Sequence, residues 1–275
     1  MPELPEVETV LRGLVPHVVG QRFLGARVRE PRLRWPVSPE LPRLLSGCVV
    51  RGMQRRGKYL LFHLTREGQE HWLIVHLGMS GSLRLRPEAE PPHRHDHVDL
   101  LLSGGVCLRL RDPRRFSALL WTDAPASHPL LASLGVEPLS DLFDGAYLHG
   151  LCAGRKTPIK ALIMDAHKVA GIGNIYANEA LFHAGIRPGT AAGRLGRTRC
   201  GRLAAAIRDI LGRAIHAGGS SLRDFVDGHG RPGYFQQTYY VYGRAGEPCR
   251  ACGTPIRQVT QGGRSSFYCP VCQKP

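Results

Sequence analysis

The stretch VDLLLSGGVCLRL, Val98 to Leu110, decides how the first half of the chain folds. Apolar residues alternate with others on both sides of Ser103-Gly104-Gly105, and two such runs across a short Gly-rich break are the signature of a β-hairpin. Outward from it, Tyr59–Leu64, Trp72–Leu77 and Ser82–Arg86 are further β-compatible runs, so short strands are expected from about Phe23 to Thr122. Several strands at this spacing imply a sandwich or a barrel. Ahead of them Val7, Val10, Leu11, Leu14 and Val18 fall at helical spacing between Glu6 and Val19, and Gly20 stops the run.

Behind the strands, Pro125–Asp144 is rich in Pro, Ser, Gly and Asp and reads as a linker. Helices dominate beyond it. Ile159–Asp165 and Ile175–Ala184 flank a Gly-containing turn, Val169–Asn174, and Leu203, Ile207, Ile210, Leu211 and Ile215 mark a longer amphipathic helix that ends at Gly218-Gly219. Gly218–Gly233, rich in Gly and Ser with mixed charge, reads as a loop. Internal repeats and coiled-coil heptads are absent from the sequence.

A chain of 275 residues can bury a real core, and its length suits two domains with a small appendage. No apolar run reaches the roughly 18–20 residues of a membrane span, and the acidic start lacks the basic and apolar regions of a signal peptide. A cytosolic protein is expected. Lys and Arg total 37 against 22 acids, a net charge of +15. Such an excess suits a polyanion partner, whose condensed counterions are released on binding; a general preference for Arg would also produce it. Lysine is scarce, at Lys58, Lys156, Lys160, Lys168 and Lys274, so each weighs individually.

Of the eight cysteines, Cys48, Cys107, Cys152 and Cys200 are scattered, while Cys249, Cys252, Cys269 and Cys272 form two C-x-x-C pairs 16 residues apart. In a cytosolic chain that spacing points to one tetrahedral zinc rather than to disulfides. Ile256–Thr260 and Ser265–Tyr268, joined by Gln261-Gly262-Gly263-Arg264, then form a zinc-bound hairpin with Arg264 near its tip. So short a segment needs the metal to fold, and four protein ligands leave no open position for a substrate.

Two smaller features allow two readings each. Gly171-Ile172-Gly173-Asn174 leads into a helix, where exposed backbone N–H groups attract an anion, or it is simple turn chemistry. Pro2-Glu3 suits the first turn of a helix. Alternatively, loss of Met1 frees the Pro2 secondary amine to attack a sugar carbon and form a permanently charged iminium, with Glu3 moving protons.

MPELPEVETV at the start, RRGKY (Arg55–Tyr59), HLGMSG (His76–Gly81), DPRRF (Asp112–Phe116), GIGNIY (Gly171–Tyr176) and the Cys quartet together resemble the formamidopyrimidine-DNA glycosylases, nearly end to end and in that family's order. The resemblance implies an α+β protein: an N-terminal β-sandwich with a leading helix (1–132), a helix–two-turn–helix domain (133–239) and a zinc finger (240–275) holding one structural zinc. It implies a bifunctional repair enzyme that cuts oxidised purines from duplex DNA and then breaks the strand by β,δ-elimination. Pro2 becomes the nucleophile at C1′, Glu3 the proton donor, Lys58 the lysine of β-elimination and Arg264 the arginine of δ-elimination. Such chemistry needs an extruded nucleotide, and Met79, Arg114 and Phe116 match the side chains that fill the hole. Core packing of Met79 and Phe116 is the competing reading, settled by their exposure. His76 and Asn174 match residues that pinch the backbone, and His95, Arg114 and Arg155 match further DNA contacts, although Gly154-Arg155-Lys156 replaces an all-lysine run. Gly218–Gly233 corresponds to the segment that closes over the flipped base. The implied partner is double-stranded DNA carrying oxidised purines or abasic sites, in the basic cleft between the domains; the implied state is a cytoplasmic, nucleoid-associated monomer without a membrane contact. The Pro-Glu-Leu-Pro-Glu opening and the Met79/Arg114/Phe116 trio favour purine lesions over the oxidised pyrimidines of endonuclease VIII-type relatives. A zinc-ribbon DNA-binding protein without catalysis is the rival from another class.

Overall fold

Helix α1 (Leu4–Val18) starts two residues before Glu6, where the sequence reading begins it, because Glu3 is extended (φ −101°) as the N-cap and donates its N–H to Glu6 Oε2 at 2.8 Å. Pro5 suits the first turn, where a backbone N–H would have no intrahelical acceptor. Leu4, Val7, Val10, Leu14 and Val18 are its buried face. The computed structural model describes residues 2–219 and 239–275. Met1 and most of the Gly218–Gly233 segment therefore lie outside the described residues. The described chain divides into two units, residues 2–132 with 217–219, and 133–216 with 239–275.

In the first unit the strands are β1 (Phe23–Val28), β2 (Val49–Arg56), β3 (Tyr59–Arg66), β4 (Gln69–His76), β5 (Ser82–Pro87), β6 (Asp96–Leu102), β7 (Val106–Arg111) and β8 (Ala118–Thr122). A short helix, α2 (Leu41–Leu45), interrupts what the sequence reads as continuous strands. Two four-stranded antiparallel sheets result, ordered β1-β6-β7-β5 and β2-β3-β4-β8. Leu60, Phe62, Leu64, Leu73 and Val75 from one sheet and Val98, Leu100, Leu102, Leu108 and Leu110 from the other share a core with α1, so the architecture is a sandwich and not a barrel. The deciding hairpin pairs Leu102 with Val106, and Gly104 (φ 89°) and Gly105 (φ 73°) supply its left-handed turn.

The other side of β6 and β7 holds a buried ion pair. Asp99 accepts from Arg109 Nε at 2.9 Å and from a second Arg109 nitrogen at 3.0 Å, and Arg29 bonds the same carboxylate. Burial alone would raise the Asp99 carboxyl, but the two guanidiniums hold it below the usual carboxylate range.

The expected linker is not featureless: it carries a 3-10 turn, Pro125–Ser127, and a single helical turn, α3 (Pro129–Ala132). The second unit contains α4 (Gly145–Cys152), α5 (Ile159–Met164), α6 (Asn174–His183) and α7 (Arg197–His216). Asp144 caps α4 by accepting the Tyr147 N–H at 2.7 Å. Helix α4 lies so tightly on α7 that a Cβ at Gly145 would come 2.7 Å from Gly201 Cα. Between α5 and α6 the chain makes two turns, at 166–168 and 170–171, with Gly171 at φ 87°, giving the helix–two-turn–helix arrangement.

Strands β9 (Arg257–Gln261) and β10 (Arg264–Tyr268) pair antiparallel near the end. Their turn is shorter than the sequence suggests. Gly262 (φ 55°) and Gly263 (φ 72°) alone form it, as a two-residue turn with both φ positive requires, so Gln261 and Arg264 are paired strand ends. Among the described residues the hairpin's buried cluster comprises Phe182, Val241, Cys249, Ile256, Phe267 and Cys269, with Tyr240, Tyr242 and Cys272 partly buried against it. Buried Glu179 on α6 anchors the entry to this region by accepting the N–H groups of Tyr240, Val241 and Tyr242 at 2.8–3.0 Å. No helix among the described residues is long and apolar enough to cross a membrane.

Candidate active site and nucleic-acid interface

Pro2 and Glu3 are both buried at the head of α1. The same helix reaches the Lys58 turn through Glu8. Glu8 Oε2 accepts from Arg55 Nε at 2.9 Å, and Arg55 donates to the Gly57 carbonyl at 3.0 Å. Burial opposes ionisation of Glu8, yet its bonds to Arg55 and Arg12 hold its carboxyl low. Lys58 itself completes a two-residue turn between Arg56 and Tyr59, in which Gly57 takes φ 56°. A tight turn of this kind aims the lysine along one direction and removes the slack of a long loop.

His76 ends β4 across from Tyr59, and the two rings lie 4.8 Å apart. Its imidazole is pushed down to about 4, by burial first and then by the charges of Lys58 and Arg34, against the opposing pull of Asp112. It is therefore neutral at physiological pH. Nδ1 accepts the Gly78 N–H at 3.1 Å, which leaves the proton on Nε2, so the ring offers one hydrogen-bond donor. Lys58, Arg34 and His76 thus form a donor cluster suited to a phosphate, without a third full charge.

The trio Met79, Arg114 and Phe116 stands next to this cluster. Met79 and Phe116 are 41% and 40% exposed, which rejects core packing for both. The Arg114 guanidinium lies 4.8 Å from the Phe116 ring centroid. Two features hold the trio together. A Cβ at Gly78 (φ 63°) would come within 2.4 Å of the Phe116 backbone, so only glycine lets the two turns touch. Fully buried Asp112 accepts from Ser80 Oγ at 2.6 Å, from the Arg114 N–H at 3.2 Å and from the Ser117 N–H at 2.8 Å. His95 is half-buried beside His97, with ring centroids 6.3 Å apart, and its carbonyl accepts the Asp112 N–H at 3.0 Å.

In the second unit the sequence-derived residues are Asn174, Arg155, Arg264 and the cysteines. Asn174 opens α6, and its Nδ2 donates to the Ser265 carbonyl at 3.1 Å, which ties the helix start to the hairpin. Arg264 is exposed and borders a groove of about 340 Å³ shared with Lys160, Met164, Asp165 and Gln261. Arg155 is exposed, with Nε bonded to the Leu151 carbonyl at 2.7 Å and its own carbonyl accepting the Gly193 N–H at 2.8 Å.

The four cysteine sulfurs lie within 4.8 Å of one another, with Cys252 to Cys269 at 3.5 Å and Cys249 to Cys272 at 3.9 Å. Four thiolates at about 2.3 Å from a common zinc stand about 3.8 Å apart, so the quartet fits that ion. The backbone N–H groups of Ala251 and Cys272 approach Cys249 Sγ and Cys269 Sγ at 3.4 Å, as suits thiolate acceptors. The zinc is structural.

Several residues escaped the sequence reading: Arg34, Arg55, Asp112, Asn178 and Glu179. Asp112 and Arg55 stand inside motifs that were recognised, so proximity was the available signal. Lys160, weighed there as one of the scarce lysines, is buried, and it and Asn178 act through partners roughly a hundred residues away.

The sequence profile of the formamidopyrimidine-DNA glycosylase N-terminal domain matches residues 1–119, that of the formamidopyrimidine-DNA glycosylase H2TH domain matches 134–226, and that of the zinc finger found in FPG and IleRS matches 246–275. The chain is 60% identical to the formamidopyrimidine-DNA glycosylase of Thiobacillus denitrificans, covering 100% of both chains. It is 56% identical to that of Escherichia coli, again over 100% of each. Its fold is similar to Lactococcus lactis FPG bound to Fapy-dG DNA, with a TM-score of 0.91, 35% identity and full coverage of both chains.

Proposed function

The chain belongs to the formamidopyrimidine-DNA glycosylase family and is a DNA repair glycosylase, and on that premise we propose that it runs two linked reactions at one damaged nucleotide. In the first, removal of Met1 frees the Pro2 nitrogen, which attacks C1′ of an oxidised purine nucleotide. The C1′–N bond breaks and its electron pair leaves with the base; Pro2 gives up its amine proton, and its lone pair then opens the C1′–O4′ bond as Glu3 protonates O4′. The resulting iminium draws electrons from the sugar. Loss of a C2′ proton then expels the phosphate at C3′, with Lys58 serving this step. Loss of the C4′ proton expels the phosphate at C5′, with Arg264 stabilising the departing charge.

The observation that carries this reading is the burial of Pro2 and Glu3. Glu3 is 2% exposed, and its carboxylate accepts the Glu6 backbone N–H in a capping box, so it is held in one place beside Pro2. Lys58, His76, Asn174 and Arg264 contact the backbone at the lesion; His95, Arg114 and Arg155 extend the contact. Met79, Arg114 and Phe116 fill the gap left by the extruded nucleotide, the two apolar groups replacing stacking and the arginine meeting the orphaned base. The protein works as a monomer in the cytoplasm, at the nucleoid.

Borohydride reduction on an abasic or 8-oxoguanine duplex tests the iminium. A covalent adduct with protein that starts at Pro2, and none with protein that retains Met1, is the expected pair of results. An equal yield from both forms overturns the mechanism. Parallel excision assays on 8-oxoguanine and thymine glycol duplexes test the purine preference.

A further inference from the structure

We propose that Ser266 and Gln261 are positioning residues for Arg264, and that the chain of hydrogen bonds through them governs how often cleavage proceeds to loss of the second phosphate. The inference rests on the assignment of Arg264 to that step.

Side chains alternate along a strand, so Arg264 and Ser266 share one face of β10. Gln261 is the cross-strand partner of Arg264, on the far side of the two-glycine turn. Ser266 is 0% exposed, and its Oγ accepts from Lys160 Nζ at 2.7 Å while donating to Gln261 Oε1 at 2.8 Å. Lys160 Nζ also donates to the Ser265 carbonyl at 2.7 Å. One strand residue further on, the Phe267 N–H donates to Asn178 Oδ1 at 2.8 Å.

The fold of the hairpin rests on its metal and on the packing of Ile256 and Phe267. The tip has neither support. Gly262 and Gly263 carry no side chains to stiffen it, so the strand ends at Gln261 and Arg264 are located by the Lys160–Ser266–Gln261 relay. A serine hydroxyl fits this place because it accepts and donates at once. Without it, Lys160 loses an acceptor, Gln261 loses its buried donor, and the tip swings about the glycines.

The chemistry supplies a sensitive readout. After the first phosphate leaves, the unsaturated iminium on Pro2 has two fates. Water can hydrolyse the C=N bond, freeing the enzyme and leaving a sugar remnant on the upstream strand. Alternatively the C4′ proton is lost and the C5′–O5′ bond breaks, its electron pair leaving with the phosphate. The ratio of the two strand ends reports where Arg264 stands.

The test uses full-length, zinc-loaded protein on an end-labelled abasic duplex, with the two ends resolved on a denaturing gel. Ser266→Ala and Gln261→Leu are expected to lower the δ-to-β product ratio about tenfold, given that a misplacement of ~1 Å can cost 10²-fold. Ser266→Thr, which keeps the hydroxyl, is expected to restore it, and zinc content is checked in each variant. An unchanged ratio in both Ser266→Ala and Gln261→Leu, with Arg264→Gln low, overturns the relay and leaves the role of Arg264 standing. A loss that Ser266→Thr fails to restore overturns it too. An unchanged ratio in Arg264→Gln overturns the assignment of Arg264 itself.

Discussion

Lys58 and Arg264 each stand at a two-residue hairpin turn containing left-handed glycine, but the two hairpins are held up by different forces. The Lys58 hairpin belongs to a sandwich whose core contains 24 buried residues. Each such side chain stabilises by roughly 1.5–3 kcal/mol, enough to oppose the entropy of ordering the sheets. Among the described residues the cluster at the Arg264 hairpin has six, two of them cysteines. Its four other buried side chains contribute roughly 6–12 kcal/mol, against a backbone cost of roughly 1–2 kcal/mol per residue. A cation can thus be fixed by apolar mass or by a metal, and the two solutions fail under different insults.

Removing zinc should separate them most sharply. Chelation, or Cys269→Ser, is expected to reduce strand cleavage at least a hundredfold, since the binding energy of a structural zinc is folding energy. All three tryptophans, Trp35, Trp72 and Trp121, belong to the sandwich unit. Their fluorescence unfolding transition should therefore stay put while cleavage is lost; a shift of several degrees would mean that the two supports are not separate.

The converse insult comes next in size. Asp99→Ala takes from buried Arg109 its closest carboxylate and leaves Glu90 and Asp96 at 3.9 Å, which should destabilise the sandwich by about 3 kcal/mol while zinc content per chain is unchanged. Acid acts on the same group. The folded carboxyl lies below its unfolded value, so its contribution is complete above a pH of about 4 and disappears as pH falls through the folded value. In Asp99→Asn, the tryptophan-detected acid transition should lose that component.

Arg55→Ala probes the link between α1 and the Lys58 turn. It removes the bonds to Glu8 and to the Gly57 carbonyl, each worth about 1–3 kcal/mol for a charged partner. Cleavage of an abasic duplex should slow about tenfold, with unaltered zinc content. The smallest effect is spectroscopic. In a proton–nitrogen NMR titration His76 should stay neutral down to about 4, and Lys58→Met should move its midpoint upward, because one of the opposing charges is gone. A midpoint left in place would separate Lys58 from His76.

What the sequence disclosed about these two regions follows the range of the forces. The cysteine quartet and the Val98–Leu110 hairpin were legible because their determinants lie within a few dozen residues. Strand β2 was not singled out, since Arg51, Gly52, Gln54, Arg55 and Arg56 hide its alternation. Asp99 and Arg109 likewise occupy buried positions with charges explained by partners that no local pattern shows: each other, Arg29 for Asp99, and the Glu90 carbonyl for Arg109. Pro2, Glu3, Lys58 and Arg264 were singled out through the resemblance, whereas the side chains bonded around them were not. Arg55 answers to Glu8 across 47 positions, and Lys160 to Ser266 across 106. No local pattern encodes a partner at such separation.

The clamped pair of turns around Gly78 and Asp112 has a further consequence. Met79 and Phe116 stand exposed on backbone that is already in close contact, with the Arg114 and Ser117 amides held by one carboxylate. If the pair enters duplex DNA as proposed, side chains on so fixed a base would meet each step alike, and a weakened step would yield first.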